Sequence, residues 1–249
     1  MGGLGAFMFN KWFGIHIIPS AILAIILTVV VSGWAQDRFV WKPLRKRGTG
    51  LIAMLVVSIG LGLFVRYVYL YIFGGDKEQY AQYAGQPGWQ FGSLSLTPKA
   101  AITVVIGFVL LALALVWLLK STMGKASRAV ADNPALASAS GIDVEKVIQS
   151  VWILGSLLAG YAGVMMGLNQ GVQFIMGSDI LLLIFAAVTL GGLGTAYGAI
   201  VGSFVVGMFI QLSTLIIPTE LKFVGALFVL ILVLLVRPQG IMGRKERIG

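Results

Sequence analysis

The sequence predicts an all-α integral membrane protein, a polytopic helical bundle of about seven spans preceded by an N-terminal half-helix. Three observations carry that expectation. Of the 249 residues, 58% are hydrophobic and only 11% are charged, against about 25% charged in an ordinary soluble domain; mean hydropathy is +0.96. The apolar residues fall into runs of roughly the 20 residues that a bilayer crossing needs. The basic residues collect between those runs instead of along one face. A chain this apolar would aggregate in water through its exposed patches, so lipid is the solvent its composition demands.

At the N-terminus, Met1–Phe9, MGGLGAFMF, is apolar but too short to cross, as half of a helix would be. Ile15–Trp34, Gly50–Phe73 (interrupted by Arg66), Pro98–Leu119, Ile148–Leu168 and Ala196–Ile217 each have the length of a span, and Leu221–Val236 is shorter but strongly apolar. Ile180–Leu190 is shorter still and runs into the glycine-rich GGLGTAYG. Asp37–Gly48, Lys120–Val147 and the residues from Arg237 onward hold thirteen of the eighteen Lys and Arg. The positive-inside rule places all three in the cytoplasm, and with them the C-terminus. Gly74–Thr97, with Asp76, Lys77, Glu78, Tyr80, Tyr83 and Trp89, reads as an external loop with interfacial aromatics. The uncharged Asn169–Ser178 falls outside by alternation. An odd number of crossings must then come after Leu168, so Ile180–Leu190 is expected to cross, extended from the Met176–Asp179 side, and not to return as a re-entrant hairpin. With no repeat of fixed period and no linker, residues 1–249 are expected to form a single transmembrane domain.

Glycine recurs within these spans. Gly163, Gly167 and Gly171 make two overlapping G-x-x-x-G steps, and Gly198 and Gly202 make another. That spacing lets helix backbones approach closely in lipid; a conduit lined by glycine backbone is the alternative.

Several classes of chemistry are excluded. There is no cysteine for disulfides or thiolate sites, and the sole histidine, His16, cannot build a multi-histidine metal centre. No G-x-x-x-x-G-K-[ST], H-E-x-x-H or G-x-S-x-G occurs; MGKAS supplies only Gly124-Lys125 of the first. An enzyme is therefore not expected, and no catalytic or metal-binding residues are assigned. The net charge of +9 comes from segments flanking the apolar runs, which suits a membrane surface and not nucleic acid. The spans hold too few ionisable groups for a proton relay. Arg66 is the exception: it either snorkels to the headgroups or meets an anionic group in a pathway. His16, at the outer start of its span, reads as interfacial. Asp179 with Asn169, Gln170 and Gln173 forms a polar collar, which either solvates an external loop or frames a substrate entrance.

The segment Lys120–Val147 spends 28 residues where a connector needs a handful. Asp132 or Asn133 can cap a helix, Pro134 suits its first position and Gly141 suits the residue past its end. The stripe Ala135, Leu136 and Ala139 is mildly apolar. It lacks the basic face and large anchors of a helix lying on lipid. Its small residues fit a groove on another protein, so docking to a cytoplasmic partner is expected.

Five stretches carry a family likeness: GKASRAVADNPALASASGIDVEKVI, AGYAGVMMGL, FAAVTLGGLGTAYGAIVGSFVVG, RPQGIMG and VWKPLRKRGTGLIAMLVVSIGL. Across nearly all of its length the chain resembles the permeases of branched-chain amino acid ABC transporters, of the LivH type. The resemblance implies a type II-like ABC importer permease in the bacterial inner membrane, moving a branched-chain amino acid or a related small amino acid or amide. It implies a LivM-like permease partner or a second copy, two cytoplasmic ATPase subunits and an external substrate-binding protein. No cofactor is expected on this chain, ATP and Mg belonging to the ATPases. Residues 133–140 become the coupling helix, with Arg128, Asp132, Asn133, Pro134, Ala135, Leu136 and Gly141 as the ATPase-facing set. Arg66, Asn169, Gln173, Thr189, Gly191 and Gly192 are the candidates for the substrate pathway. A urea or short-amide permease of the same family, or a shortened subunit that does not transport, stays open. Family members begin with a first span and a helix carrying Asn-Phe-Ala-His-Gly, whereas MGGLGAFMF resembles the residues immediately C-terminal to that motif. The expectation is an N-terminal part that is missing, through a start at an internal methionine or through shortening.

Overall fold

The computed structural model describes residues 1–80, 89–91, 94–192 and 195–215, together with 224, 225, 227, 228, 231, 235, 240 and 241. The chain divides into two compact units, Met1–Phe174 and Ile175–Gly249.

Among its described residues, the first unit has four helices long and apolar enough to cross a membrane, plus a short leading helix. α1 covers Gly2–Lys11, about 15 Å at 1.5 Å per residue, which is half of a bilayer core. α2 runs over Ile17–Lys46. Its cap is the exposed His16, whose Nδ1 accepts from the Ile18 N–H at 3.4 Å, and Pro19 falls in the first turn, where no N–H is needed. Wide π-type turns cover Val29–Ala35 and Asp37–Trp41. Here the sequence reading is corrected: Asp37–Gly48 was expected to be a loop, yet the helix continues through it. Charge marks where a span leaves the hydrocarbon, not where its hydrogen bonding stops. The turn itself is short and centred on Gly48, at φ +63°.

α3 covers Leu51–Phe73 and has no fully buried residue; much of its apolar surface is exposed, while Arg66, Tyr69 and Phe73 are half-buried. A two-stranded antiparallel hairpin pairs Trp89–Phe91 with Leu94–Leu96, a feature with no helical periodicity to announce it. α4 spans Pro98–Lys120, α5 Thr122–Asp132, α6 Pro134–Ala139 and α7 Val144–Gln170.

α7 is the centre of this unit. Its buried positions Ser156, Gly160, Val164 and Gly167 fall at helical spacing on one face. Small residues let neighbours approach. A Cβ on Gly3 would lie 2.7 Å from the Gly163 carbonyl oxygen, and one on Gly2 would collide with the Gly160 carbonyl. α2 crosses the same helix where Thr28 meets Gly160 and Gly33 meets Ser156. In lipid, where no water is expelled from between helices, such close backbone contact supplies the association energy. The tandem glycine pattern is partly corrected, however. Gly163 serves helix packing, Gly167 faces Tyr80 and Val172, and Gly171 ends α7 at φ +82°.

The second unit begins with α8, Met176–Gly191, with a non-helical break at Ile180, so the apolar helix expected over Ile180–Leu190 starts earlier, at Met176. α9, Ala196–Ser213, lies tightly against it: Cβ atoms at Gly191 and Gly198 would each run into the other's carbonyl, and one at Gly202 into Ala187. Ala187, Leu190 and Val206 form the buried apolar centre. Of the expected Leu221–Val236 span, Val224, Gly225, Leu227, Phe228, Ile231 and Leu235 are helical, and the rest lies outside the described residues. So do Arg237 onward, apart from Gly240 and Ile241.

Candidate functional site

The segment between α4 and α7 folds into two short helices held on the end of α7. Ser121 caps α5, its hydroxyl accepting from the Gly124 N–H at 2.9 Å. Between the two possible caps for α6, the structure uses Asn133: its Oδ1 accepts from the Leu136 N–H at 3.0 Å, while Asp132 is the last residue of α5. Pro134 is the first helical residue, and Gly141, at φ +83°, takes the left-handed position past the end. Asp143 caps α7 by accepting from the Lys146 N–H at 3.1 Å. That bond and the Lys146 ammonium hold the Asp143 carboxyl below its ordinary range.

The face of α6 that is buried differs from the apolar stripe read in sequence. Ala137 is the residue pressed inward, packing with Val130 of α5 and Val147 of α7 over Ile142 and Val144. Ala135, Leu136 and Ala139 face outward with Pro134, and Leu136 is 65% exposed. A six-residue helix has too few hydrogen bonds to stand alone in water; caps at both ends and one buried alanine keep it in place. Arg128, grouped with the docking residues in the sequence, is exposed, and its Nη1 donates to the Leu118 carbonyl, satisfying an orphan acceptor at the end of α4.

The candidate pathway residues separate into two groups, one in each unit. In the first, Arg66 lies on α3 with its guanidinium 5.5 Å from the Phe174 ring centre and 5.9 Å from that of Tyr67. Its Nε is buried without a hydrogen-bond partner among the described residues. Asn169 donates to the Met165 carbonyl one turn back at 2.9 Å, and Gln173 donates to the Gly75 carbonyl, 98 residues away in sequence, at 3.2 Å. In the second unit, Thr189 donates to the Phe185 carbonyl at 2.6 Å. Gly191 and Gly192 are buried, Gly192 at φ +108°, and the Ile241 N–H donates to the Leu190 carbonyl at 2.7 Å. The glycine pair and the C-terminal Gly240-Ile241 thus meet at one backbone contact.

Two constellations were not visible in the sequence. At the basic end of α2, Arg45 donates to the buried Asp37 at 2.9 Å and to Glu145 in the first turn of α7 at 3.1 Å. Beside them Trp41 stacks on Trp152, with centroids 5.7 Å apart. At the other end, Tyr80 corrects the expectation of an interfacial aromatic. It is 3% exposed and donates to the Gly3 carbonyl at 2.6 Å, and burial pushes its hydroxyl well above the ordinary tyrosine range. Glu78 and Val172 exchange backbone hydrogen bonds, and Lys11 pairs with Glu78 at 2.7 Å. Residues 74–80 therefore close over α1 and the end of α7. Tyr83 lies outside the described residues. Among those described, no group of His, Cys, Asp and Glu could hold a metal ion.

Comparison with known proteins agrees with this architecture. The family described as the branched-chain amino acid transport system permease component matches residues 1–236. The chain is 32% identical to LivH, the high-affinity branched-chain amino acid transport system permease protein of Salmonella typhimurium, over 92% of this chain and 76% of that protein. It is 30% identical to the permease protein BraD of Pseudomonas aeruginosa, over 91% and 75% respectively. With the probable LivH of Methanocaldococcus jannaschii it shares 31% identity over 98% of this chain and 80% of that one. No solved structure matches. The chain is a multi-pass membrane protein that belongs to the family of branched-chain amino acid transport permeases, the membrane subunits of ABC importers.

Proposed function

We propose that this permease imports branched-chain amino acids across a bacterial inner membrane, driven through α6 by ATPase subunits docked on its cytoplasmic side. The chain carries no nucleotide-binding loop of its own, which suits a subunit that borrows its energy. The observation that carries the reading is the position of α6: capped at both ends, anchored inward by Ala137, and presenting Pro134, Ala135 and a 65% exposed Leu136 outward. Such a helix can be moved by a partner without unfolding. Ala137 packs directly on Val147 of α7, and Arg45 links Glu145 in that same first turn of α7 to α2. Displacement of α6 would thus be felt by two of the long helices of the first unit, α7 and α2. A partner drives transport only if its contacts differ between two states of the permease.

A LivM-like subunit or a second copy completes the membrane assembly in this reading, with an external binding protein delivering substrate and the C-terminus cytoplasmic. The largely exposed apolar surface of α3 supports a role at the periphery against lipid or such a partner. The test is Leu136→Asp combined with Pro134→Asp. Acidic residues in a first helical turn suit the helix dipole, so α6 should persist while its apolar contact is lost. Co-purification of the ATPase should fall at least tenfold with membrane insertion unchanged. An intact complex would remove the docking assignment.

A further inference from the structure

A cavity of about 610 Å³ opens at the basic end of α2 and the start of α7, lined by Arg38, Lys42, Lys46 and Lys146 with Asp37, Asp143 and Glu145. Its charges are unequally matched. Arg45 engages Asp37 and Glu145, Lys42 stands 3.7 Å from Glu145, and Lys146 holds Asp143 at 3.1 Å. Arg38 and Lys46 are left without a carboxylate partner among the described residues, and both are exposed. The cavity is large enough to admit a hydrated polar headgroup.

What adjoins the cavity identifies the occupant. Arg38 lies over the Trp34 ring at 5.4 Å, and Phe39 meets the same ring edge-on at 6.1 Å. Trp34 is 40% exposed and Phe39 68%. One turn further into the span, Val30 and Val31 are exposed as well. A cationic pocket is thus continuous with an aromatic collar and then an aliphatic helix face. That sequence of surfaces matches one molecule read from headgroup to acyl chain. A soluble anion has no use for the apolar part.

We infer that this cavity binds the phosphodiester headgroup of an anionic phospholipid from the leaflet on the basic side. Arg38 and Lys46 donate to its phosphate oxygens, while the acyl chains lie along Trp34, Phe39 and Val30. The carboxylates keep Lys42 and Lys146 in place and prevent the pocket from collecting bare anions without regard to kind. The site is separate from the exposed face of α6, so its test does not depend on ATPase docking.

The full chain is reconstituted into phosphatidylcholine vesicles containing a minor fraction of phosphatidylglycerol, re-extracted, and its retained lipid measured by native mass spectrometry. Each basic side chain near an anionic surface contributes about 1 kcal/mol, so Arg38→Gln with Lys46→Gln should lower phosphatidylglycerol retention about tenfold or more. The charge-preserving pair Arg38→Lys and Lys46→Arg should retain the lipid and guards against misfolding as the cause. Lys120→Gln, which removes an exposed cation at the end of α4, should change nothing. Equal retention by the Gln pair and wild type, or equal loss with Lys120→Gln, overturns the site. So does loss of ATPase co-purification in the Gln pair with lipid retention unchanged, which would make the pocket a protein contact. In phosphatidylcholine alone, inorganic phosphate at constant ionic strength should leave the melting temperature unchanged. Stabilisation equal to that by phosphatidylglycerol would assign the pocket to a free anion and overturn the lipid reading.

Discussion

Arg45 and Glu145, one hundred residues apart in sequence, join the basic end of α2 to the first turn of α7 through a 3.1 Å hydrogen bond. The other arm of the same guanidinium holds Asp37, which is only 2% exposed. The two carboxylates are therefore not equivalent. Removing Arg45 strands a buried charge, an outcome that costs about 3–5 kcal/mol. Removing the charge of Glu145 leaves Arg45 still bonded to Asp37 and loses about 1 kcal/mol. Arg45→Met should consequently lower the detergent melting temperature far more than Glu145→Gln. The double variant Arg45→Met with Asp37→Leu should recover most of the loss. Equal effects from the two single variants would show that the bridge, and not the burial of Asp37, dominates.

Tyr80 yields a prediction in pH. Its hydroxyl donates to Gly3 in a fully buried setting that favours the neutral form, so its native pKa stands above the unfolded value of about 10. A group with a raised native pKa gives stability that is complete below the unfolded value and lost as pH rises towards the native one. Wild-type protein should therefore lose stability on titration above pH of about 10, and Tyr80→Phe should lose less over the same range. At neutral pH Tyr80→Phe should cost about 1 kcal/mol for the missing hydrogen bond. Parallel alkaline melting curves for the two proteins would contradict the role given to the hydroxyl.

Legibility in the sequence tracks the range of the forces involved. Hydrophobic run length and local capping chemistry act over a few residues, and they locate the spans and place α6 between Asn133 and Gly141. Local chemistry was less informative where a helix changes solvent. The charges after Trp34 read as a loop, yet α2 continues to Lys46 because Asp37 and Arg45, eight residues apart, share the face turned towards α7. The sequence also cannot tell which small residue of α6 is buried. Alanines stand at 135, 137 and 139, and only contact with Val130 and Val147 selects Ala137. Tyr80 looked interfacial because aromatic residues in polar loops usually are. Its burial depends on Gly3 and Gly167, both remote in the chain.

The glycines of the second unit decide between two readings of the same residues. If Gly191 and Gly198 line a conduit, an added methyl would narrow it and slow transport while the protein folds normally. Their geometry instead places each against the other's backbone carbonyl, with the Thr195 hydroxyl also against Gly198, so side-chain rotation alone cannot make room for a methyl, which must separate α8 from α9. Overpacking of this kind costs about 1–3 kcal/mol per site, and more where backbone meets backbone. Gly207, on the same helix as Gly198, has nothing within 4 Å of its would-be Cβ. Gly207→Ala should be tolerated and can gain helix propensity, up to about 1 kcal/mol by soluble-helix scales. Gly198→Ala and Gly191→Ala should reduce the yield of folded, monodisperse protein several-fold, measured by size-exclusion chromatography in detergent. If both variants fold as wild type and only uptake falls, the two glycines belong to the pathway and not to the packing of α8 on α9.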